Sequence, residues 1–158
     1  MKIIGLCLVF VCSVGIGLFT AETQKTALKQ AKEMLNFMYY IKQQIEYFNT
    51  PLGEIYTSFE NQNNFILSLV EDISVNGWKI ALKEKKDIFL PSGCVSILYD
   101  FGNILGKSDR KDQLEKCDYY IREFEIEYQK LKDTTPKKVK ASFALSVYIG
   151  LMIIILFL

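Results

Sequence analysis

At residues 105–113 the chain reads Leu-Gly-Lys-Ser-Asp-Arg-Lys-Asp-Gln, and this stretch decides how the fold is organised. Gly106 suits the left-handed conformation that closes a helix. Ser108 is expected to cap the next helix by accepting a hydrogen bond from one of its first N–H groups, and Asp109 adds negative charge at that positive end. The stretch therefore predicts a turn between two helices, the second of which runs back toward a hydrophobic C-terminus.

Two long amphipathic helices are expected on either side of the middle of the chain. Apolar residues recur in alternating steps of four and three from Ala27 to Phe48, and a similar spacing runs from Leu114 to Leu131. Such a pattern places the apolar side chains on one face of a helix. We therefore expect the two helices to pack against each other.

Shorter helices are expected between the long ones. Pro51 suits the first position of a helix that continues with Leu52, and Thr50 is expected to cap it. Asn76-Gly77 is a turn signal that separates one apolar segment from a helix opened by Trp78. No segment shows the alternation typical of a β-strand. The sequence therefore predicts an all-α bundle of about six helices.

Both ends of the chain are hydrophobic. Residues 1–21 and 141–158 are long enough to cross a bilayer at about 1.5 Å per helical residue. Pro136 is expected to interrupt the helix that precedes the second segment. We therefore predict an N-terminal and a C-terminal transmembrane helix that flank a helical domain at 22–140.

The direction of insertion follows from the lysines. They gather on the inner side of both segments, at positions 25, 29 and 32 and at positions 137, 138 and 140. Basic flanks favour the cytoplasmic side of a membrane, so the domain at 22–140 is expected to be cytoplasmic.

Two other topologies or roles remain open at this point. If the N-terminal run were a cleaved signal peptide, the chain would be a secreted or membrane-tethered helical binding protein. A small channel subunit is a further alternative, although no charged residue between Ile3 and Ala21 or within 141–158 marks an ion path.

Small residues mark one face of each terminal helix. Gly17 lies in the first, and Ser146 and Gly150 form a small-xxx-small pair in the second. Such faces let membrane helices approach closely. They could pair the two spans of one chain or join copies of the chain in a homo-oligomer.

The composition excludes several classes of function. The chain has no histidine, which removes imidazole-dependent catalysis and imidazole metal ligands. Its 19 basic and 18 acidic residues nearly cancel, which disfavours nucleic-acid binding. Cys94 and Cys117 have no zinc-type spacing and are interpreted as buried thiols in a reducing compartment. We expect no catalytic, cofactor-binding or metal site.

An acidic stretch is a candidate partner surface. No basic residue occurs between Lys42 and Lys79, whereas Glu54, Glu60 and Glu71 lie there. Together with Asp109, these side chains could meet a basic cytoplasmic partner. An ordinary solvated face is an equal alternative.

Several of these features, in this order, resemble the stage III sporulation protein AB family of endospore-forming bacteria. The shared residues include Pro51, Leu52 and Glu54 after the first long helix and Trp78 at the start of a middle helix. The most specific element combines five residues of the opening stretch: Leu105, Gly106, Ser108, Asp109 and Gln113. The resemblance also includes Ile45, Tyr47 and the final Gly150-Leu151 run.

The resemblance implies a function that the residue pattern alone does not provide. Members of this family belong to the channel complex that links mother cell and forespore, in the mother-cell membrane around the forespore. The family is similar to the cytoplasmic domain of type II secretion system F proteins, an inner-membrane platform beside a secretion ATPase. By this likeness, the expected partners are the other channel subunits and the sporulation secretion ATPase, stage III sporulation protein AA.

Overall fold

The computed structural model describes residues 2–48, 50–61 and 63–157 and, of their side chains, those of 11–48, 50–61 and 63–155. Every element within these ranges is helical. In chain order they are α1 (Lys2–Gln43), a π-helical turn (Gln44–Phe48), α2 (Leu52–Thr57), α3 (Asn64–Glu84), α4 (Ser92–Ile104) and α5 (Arg110–Phe157). The predicted all-α class is confirmed.

The break expected at Asn76-Gly77 is present within α3. Gly77 takes a non-helical backbone (φ 78°, ψ 163°), so the range Asn64–Glu84 consists of two helices that meet at a kink, and Trp78 follows the break. Only glycine adopts such a positive φ without strain, so the turn signal separates the two helices as predicted.

The expected interruption near Pro136 is wrong. α5 continues through Pro136 to Phe157. A proline inside a helix removes one backbone hydrogen bond, but the turns on both sides keep theirs. The neighbouring Thr135 is only 5 % exposed, so this part of the helix is also held by packing.

The chain forms two compact units. One combines Met1–Thr26 with Leu131–Leu158, and the other is Ala27–Lys130. We call them the terminal unit and the central unit.

The central unit contains the antiparallel pairing of α1 and α5. Tyr39 on α1 donates a hydrogen bond to Glu125 on α5 (2.5 Å), and Lys42 forms an ion pair with Asp118 (2.6 Å). The two apolar stripes meet as expected. Their buried members include Ala31, Met34, Met38 and Ile41 on α1 and Cys117, Ile121 and Phe124 on α5.

The first stripe ends earlier than the sequence indicates. Ile45 is buried, whereas Phe48 is 70 % exposed. The π-helical turn at Gln44–Phe48 has more residues per turn than an α-helix, so it rotates the following side chains away from the buried face.

Aromatic rings fill the centre of this unit. Phe37 is fully buried and its ring centroid lies 4.7 Å from that of Phe59 and 5.9 Å from that of Trp78. Trp78 meets Phe101 edge-on at 5.6 Å and donates its indole N–H to the Tyr56 hydroxyl. These contacts attach α2, α3 and α4 to α1.

The terminal unit contains the apolar end of α5. Within the described residues, α5 is the one helix long and apolar enough to cross a membrane. The other predicted span, residues 1–21, begins outside the described residues, and the side chains of its first ten residues are not described.

Candidate functional site at the α4–α5 turn

The turn between α4 and α5 has the backbone that its glycine predicts. α4 ends at Ile104, and Gly106 has φ 75°. A Cβ at Gly106 would lie 3.0 Å from Cδ1 of Leu52, so the turn also packs against the start of α2. The expected left-handed helix stop is confirmed.

The expected cap is wrong. α5 begins at Arg110, and the first carbonyl in its hydrogen-bond ladder is that of Asp109, which accepts from the N–H of Gln113 at 2.9 Å. The Ser108 hydroxyl is buried and makes no well-formed hydrogen bond to any described residue. Because Asp109 occupies the capping position, Ser108 lies one residue too early to cap.

The Ser108 hydroxyl still affects the ionisation of the Asp112 carboxyl group. The Lys116 ammonium, 2.6 Å from the Asp112 carboxylate, and secondarily the Ser108 hydroxyl lower the pKa of Asp112. Asp112 is therefore paired within its own helix.

A cavity of about 220 Å³ lies at this turn. Residues from three parts of the chain line it: Ile45 from the π-helical turn, Leu52 from the start of α2, and Gly106, Ser108 and Gln113 from the α4–α5 turn and the first turn of α5. All five residues were singled out from the sequence, yet they are spread over 69 positions from Ile45 to Gln113. The fold gathers them around one space, which we call the turn cavity.

Gln113 is a polar residue in the lining of the turn cavity. It lies four residues before Cys117 on the buried stripe of α5 and is only 7 % exposed. Among the described residues, the buried side-chain polar atom without a hydrogen-bond partner is the Ser108 hydroxyl, not an atom of Gln113.

Arg110 is a cavity residue that the sequence reading did not single out. It lines the turn cavity, and its guanidinium donates a hydrogen bond to the carbonyl of Glu46 in the π-helical turn. A π-helical turn frees carbonyls from the regular ladder, which makes such a bond available. The insertion that creates a π turn leaves no clear mark in a single sequence, so this contact had no detectable signal.

One comparison with known proteins identifies the family. The family described as "Stage III sporulation protein AB (spore_III_AB)" matches residues 2–158. The chain belongs to the stage III sporulation protein AB family. No curated protein and no solved structure matches it significantly. Membership confirms the resemblance seen in the sequence and makes this a sporulation-related protein.

The structural residues expected from the family pattern have clear roles. Pro51 is the N-cap residue of α2, one position before the first helical position expected for it, and its carbonyl accepts from the N–H of Ile55 at 3.1 Å. The expected cap by Thr50 is wrong, because its hydroxyl donates to the Gln44 side chain instead. Trp78 packs so closely on Gly102 that a Cβ there would lie 2.7 Å from the indole Cδ1.

The candidate partner surface of this family member is exposed but dispersed. Glu54 lies on α2, Glu60 follows it, Glu71 lies on α3 and Asp109 precedes α5. All four are exposed, and none forms an ion pair within the described ranges, whereas the neighbouring Asp72 pairs with Lys85. No hydrogen bond among the described residues joins the four to each other.

The small face expected in the terminal helices does form a contact. Ser13 donates a hydrogen bond to the Ser146 carbonyl at 2.6 Å, and a Cβ at Gly17 would lie 2.8 Å from Cβ of Ser146. Gly150 is buried. The contact supports pairing within one chain of this family, and a homo-oligomer through the same face would require it to open.

Proposed function

We propose that this family member is a non-enzymatic, two-span membrane component of the mother cell-to-forespore secretion complex. In this proposal its domain at 22–140 is a cytoplasmic platform for the secretion ATPase, stage III sporulation protein AA. The proposal rests on one observation, which is that α5 joins a folded domain to an apolar segment. The first part of α5 belongs to the folded central unit, and its last part is long and apolar enough to cross a membrane.

The chemistry of the central unit supports a non-enzymatic role. The chain has no histidine to activate a nucleophile. Burial raises the pKa of the Cys94 and Cys117 thiols to about 11, so neither forms the reactive thiolate near neutral pH.

The unpaired acidic side chains support a contact with a basic partner. Glu54, Glu60 and Glu71 are exposed and have no cation to neutralise them among the described residues. Complementary charge raises association rates and selects between partners, although each rim charge contributes little affinity. A secretion ATPase with a basic docking face would meet this requirement.

The test is a pull-down of the ATPase by the full-length chain in detergent. The variant combines Glu54→Lys, Glu60→Lys and Glu71→Lys. A matched control reverses three acidic side chains on α5, with Glu115→Lys, Glu123→Lys and Asp133→Lys, so both variants have the same net charge.

We expect the first variant to retain less than about a tenth of the ATPase, because several repulsive rim charges together cost about 1–2 kcal/mol or more. The control should retain most of it. Equal retention by both variants would remove the acidic surface from the proposal, and no retention by the unchanged chain would remove the platform function.

A further inference from the structure

We propose that the groove between α3 and α4 is a docking site for an acidic amphipathic helix of a partner protein. The groove has a volume of about 430 Å³ and lies between α4 and the part of α3 that follows Gly77. None of the acidic side chains of the proposed function is among its described lining residues, so this inference does not rest on that function. We call it the α3–α4 groove.

The α3–α4 groove is lined by one face of each helix. Lys79, Leu82 and Lys83 lie on one face of α3, because residues three and four apart are neighbours on a helix. α4 contributes residues from Ser92 to Tyr99 in the same steps. The seven residues from the first to the last span about 10 Å, or two helical turns. A third helix could therefore lie along the groove.

The lining of the α3–α4 groove combines an apolar strip with an exposed edge. Leu82 is only 7 % exposed, and Val95 and Tyr99 are half-buried, whereas Lys79 and Lys83 are exposed. A small-molecule site encloses roughly 70–90 % of its ligand, which walls as exposed as these do not provide. A docked helix would cover the apolar strip and keep its own outer face in water.

The charge of the α3–α4 groove selects an acidic partner. Lys79 and Lys83 form no ion pair with any described residue, whereas the nearby Lys85 pairs with Asp72 at 2.6 Å. The Lys79 ammonium lies 5.9 Å from the centroid of the Tyr99 ring, so one of these charges is at the groove itself. No acidic side chain is among the described lining residues. Complementary carboxylates would have to come from a partner.

The spacing of the two lysines defines the partner further. Lys79 and Lys83 are one helical turn apart, about 6 Å along the axis. Two carboxylates one turn apart on a partner helix have the same separation and could pair with both lysines. Apolar side chains beside those carboxylates would then reach Leu82 and Val95, as in other complexes that lay an amphipathic helix into an apolar groove.

An anionic membrane surface fits the α3–α4 groove less well than a helix does. Recognition of such a surface typically uses clusters of about four to eight basic side chains. Lys79 and Lys83 are the basic residues among the described lining. Two charges beside a concave apolar strip match a helix with two carboxylates.

The test uses two blocked, fluorescently labelled helical peptides with leucines on one face. Beside the leucines, the Glu peptide has two glutamates one helical turn apart, and the Gln peptide has two glutamines instead. Each is titrated into the full-length chain in neutral detergent micelles and followed by fluorescence anisotropy, with empty micelles as the blank. The groove variant combines Lys79→Gln and Lys83→Gln. The control combines Lys107→Gln and Lys111→Gln, two exposed lysines with the same sequence separation.

We expect saturable binding of the Glu peptide, at least about fivefold tighter than that of the Gln peptide, because two charge pairs form at the edge of the interface. The groove variant should bind the Glu peptide no better than the Gln peptide, and the control should bind it as the unchanged chain does. Lys79→Arg with Lys83→Arg keeps both charges and should preserve binding. Circular dichroism should show the same helix content in every variant.

Several results would overturn the proposal. No saturable binding, or equal affinity for the two peptides, would show that the groove does not recognise an acidic helix. An equal loss in the groove variant and the control would mean that only net charge matters. Displacement of the Glu peptide by an equal concentration of glycerol phosphate would indicate a site for lipid headgroups. Self-association of the chain that the groove variant abolishes would assign the groove to a second copy of this chain.

Discussion

Gln30 and Gln113 show two environments of one residue type. Gln30 joins α1 to the segment at Asp87–Phe89 through two hydrogen bonds, so its amide holds the core together. Gln113 is also mostly buried, but it lines the turn cavity at the edge of the core.

The true cap and the expected cap can be compared directly. The Asn63 side chain accepts from the N–H of Phe65 at 3.1 Å, whereas Ser108 caps nothing. We predict that Asn63→Ala lowers stability by about 1 kcal/mol, which is a shift of roughly 2–4 °C in melting temperature for a chain of this size. Ser108→Ala should lower the melting temperature less than Asn63→Ala does, because the Ser108 hydroxyl caps no N–H of α5.

The measurement is thermal unfolding of both variants followed by circular dichroism in the same detergent. A fall for Ser108→Ala as large as that for Asn63→Ala would restore Ser108 as a structural hydrogen-bonding residue.

The buried thiols predict a loss of stability at alkaline pH. Burial raises the pKa of Cys94 and Cys117 from 9.0 to about 11. The folded state thus favours the neutral thiol, so this contribution is fully present below pH 9 and is lost as the pH rises through about 11. Chemical unfolding at intervals from pH 8 to 11.5 should show the decline.

The control for this prediction is the double variant Cys94→Ala, Cys117→Ala. Tyrosines with raised pKa, such as Tyr39 beside Glu125, act in the same direction and remain in the variant. The double variant should therefore show a shallower decline, and an identical slope would mean that the thiols do not contribute.

At the scale of elements, the amphipathic periodicity was the most reliable guide. Ala31, Met34 and Ile121 are buried on the faces that the three-and-four spacing indicates. The break at Gly77 is also where the turn signal indicates. The failures lie elsewhere: Pro136 does not stop α5, and the π-helical turn rotates Phe48 outward.

These failures have a common physical cause. A proline in a helix interior costs about 3 kcal/mol. Packing on both sides of such a residue can exceed that cost, as it does around the buried Thr135. A single sequence shows the local preference but not the tertiary contacts that oppose it.

The pairing of the terminal helices can be tested with two neighbouring glycines. A Cβ at Gly17 would lie 2.8 Å from Cβ of Ser146, whereas a Cβ at Gly15 meets nothing within 4 Å. We predict that Gly17→Leu separates the helices and that Gly15→Leu leaves them paired. The readout is disulfide crosslinking between Ser13→Cys and Ser146→Cys in a chain whose four native cysteines are replaced by alanine.

The Ser13 hydroxyl donates to the Ser146 carbonyl, so the two engineered thiols start close together. Crosslinking should fall several-fold with Gly17→Leu only. Equal crosslinking in both variants would show that this close approach does not hold the helix pair.

For the whole molecule, the helical class, the family and the residues of the α4–α5 turn could be predicted from the sequence. The sequence was not sufficient for the cavity, because Ile45, Leu52 and Gln113 meet only after α1, α2 and α5 have packed. Distances between remote side chains depend on the whole fold, and no spacing rule within one helix provides them.

The proposed topology gives a prediction for the whole chain. Ser58, exposed at the end of α2, is changed to cysteine in a chain whose Cys7 and Cys12 are alanine. A membrane-impermeant maleimide should label it in inverted vesicles but not in intact cells, because basic residues on the inner flanks favour a cytoplasmic central domain. The same chain without the new cysteine is the control, since Cys94 and Cys117 are buried.

Labelling of Ser58→Cys in intact cells would contradict this topology and favour a secreted or externally exposed domain.

Trp78 gives the chain an optical reporter of its own. It is the single tryptophan, is 7 % exposed and donates to the Tyr56 hydroxyl within the aromatic cluster. Its fluorescence should therefore be blue-shifted and resistant to acrylamide quenching while the central unit is folded, and both properties should be lost when the unit opens. The integrity of this unit can thus be followed in the purified chain, in detergent or in lipid vesicles, without attaching any dye.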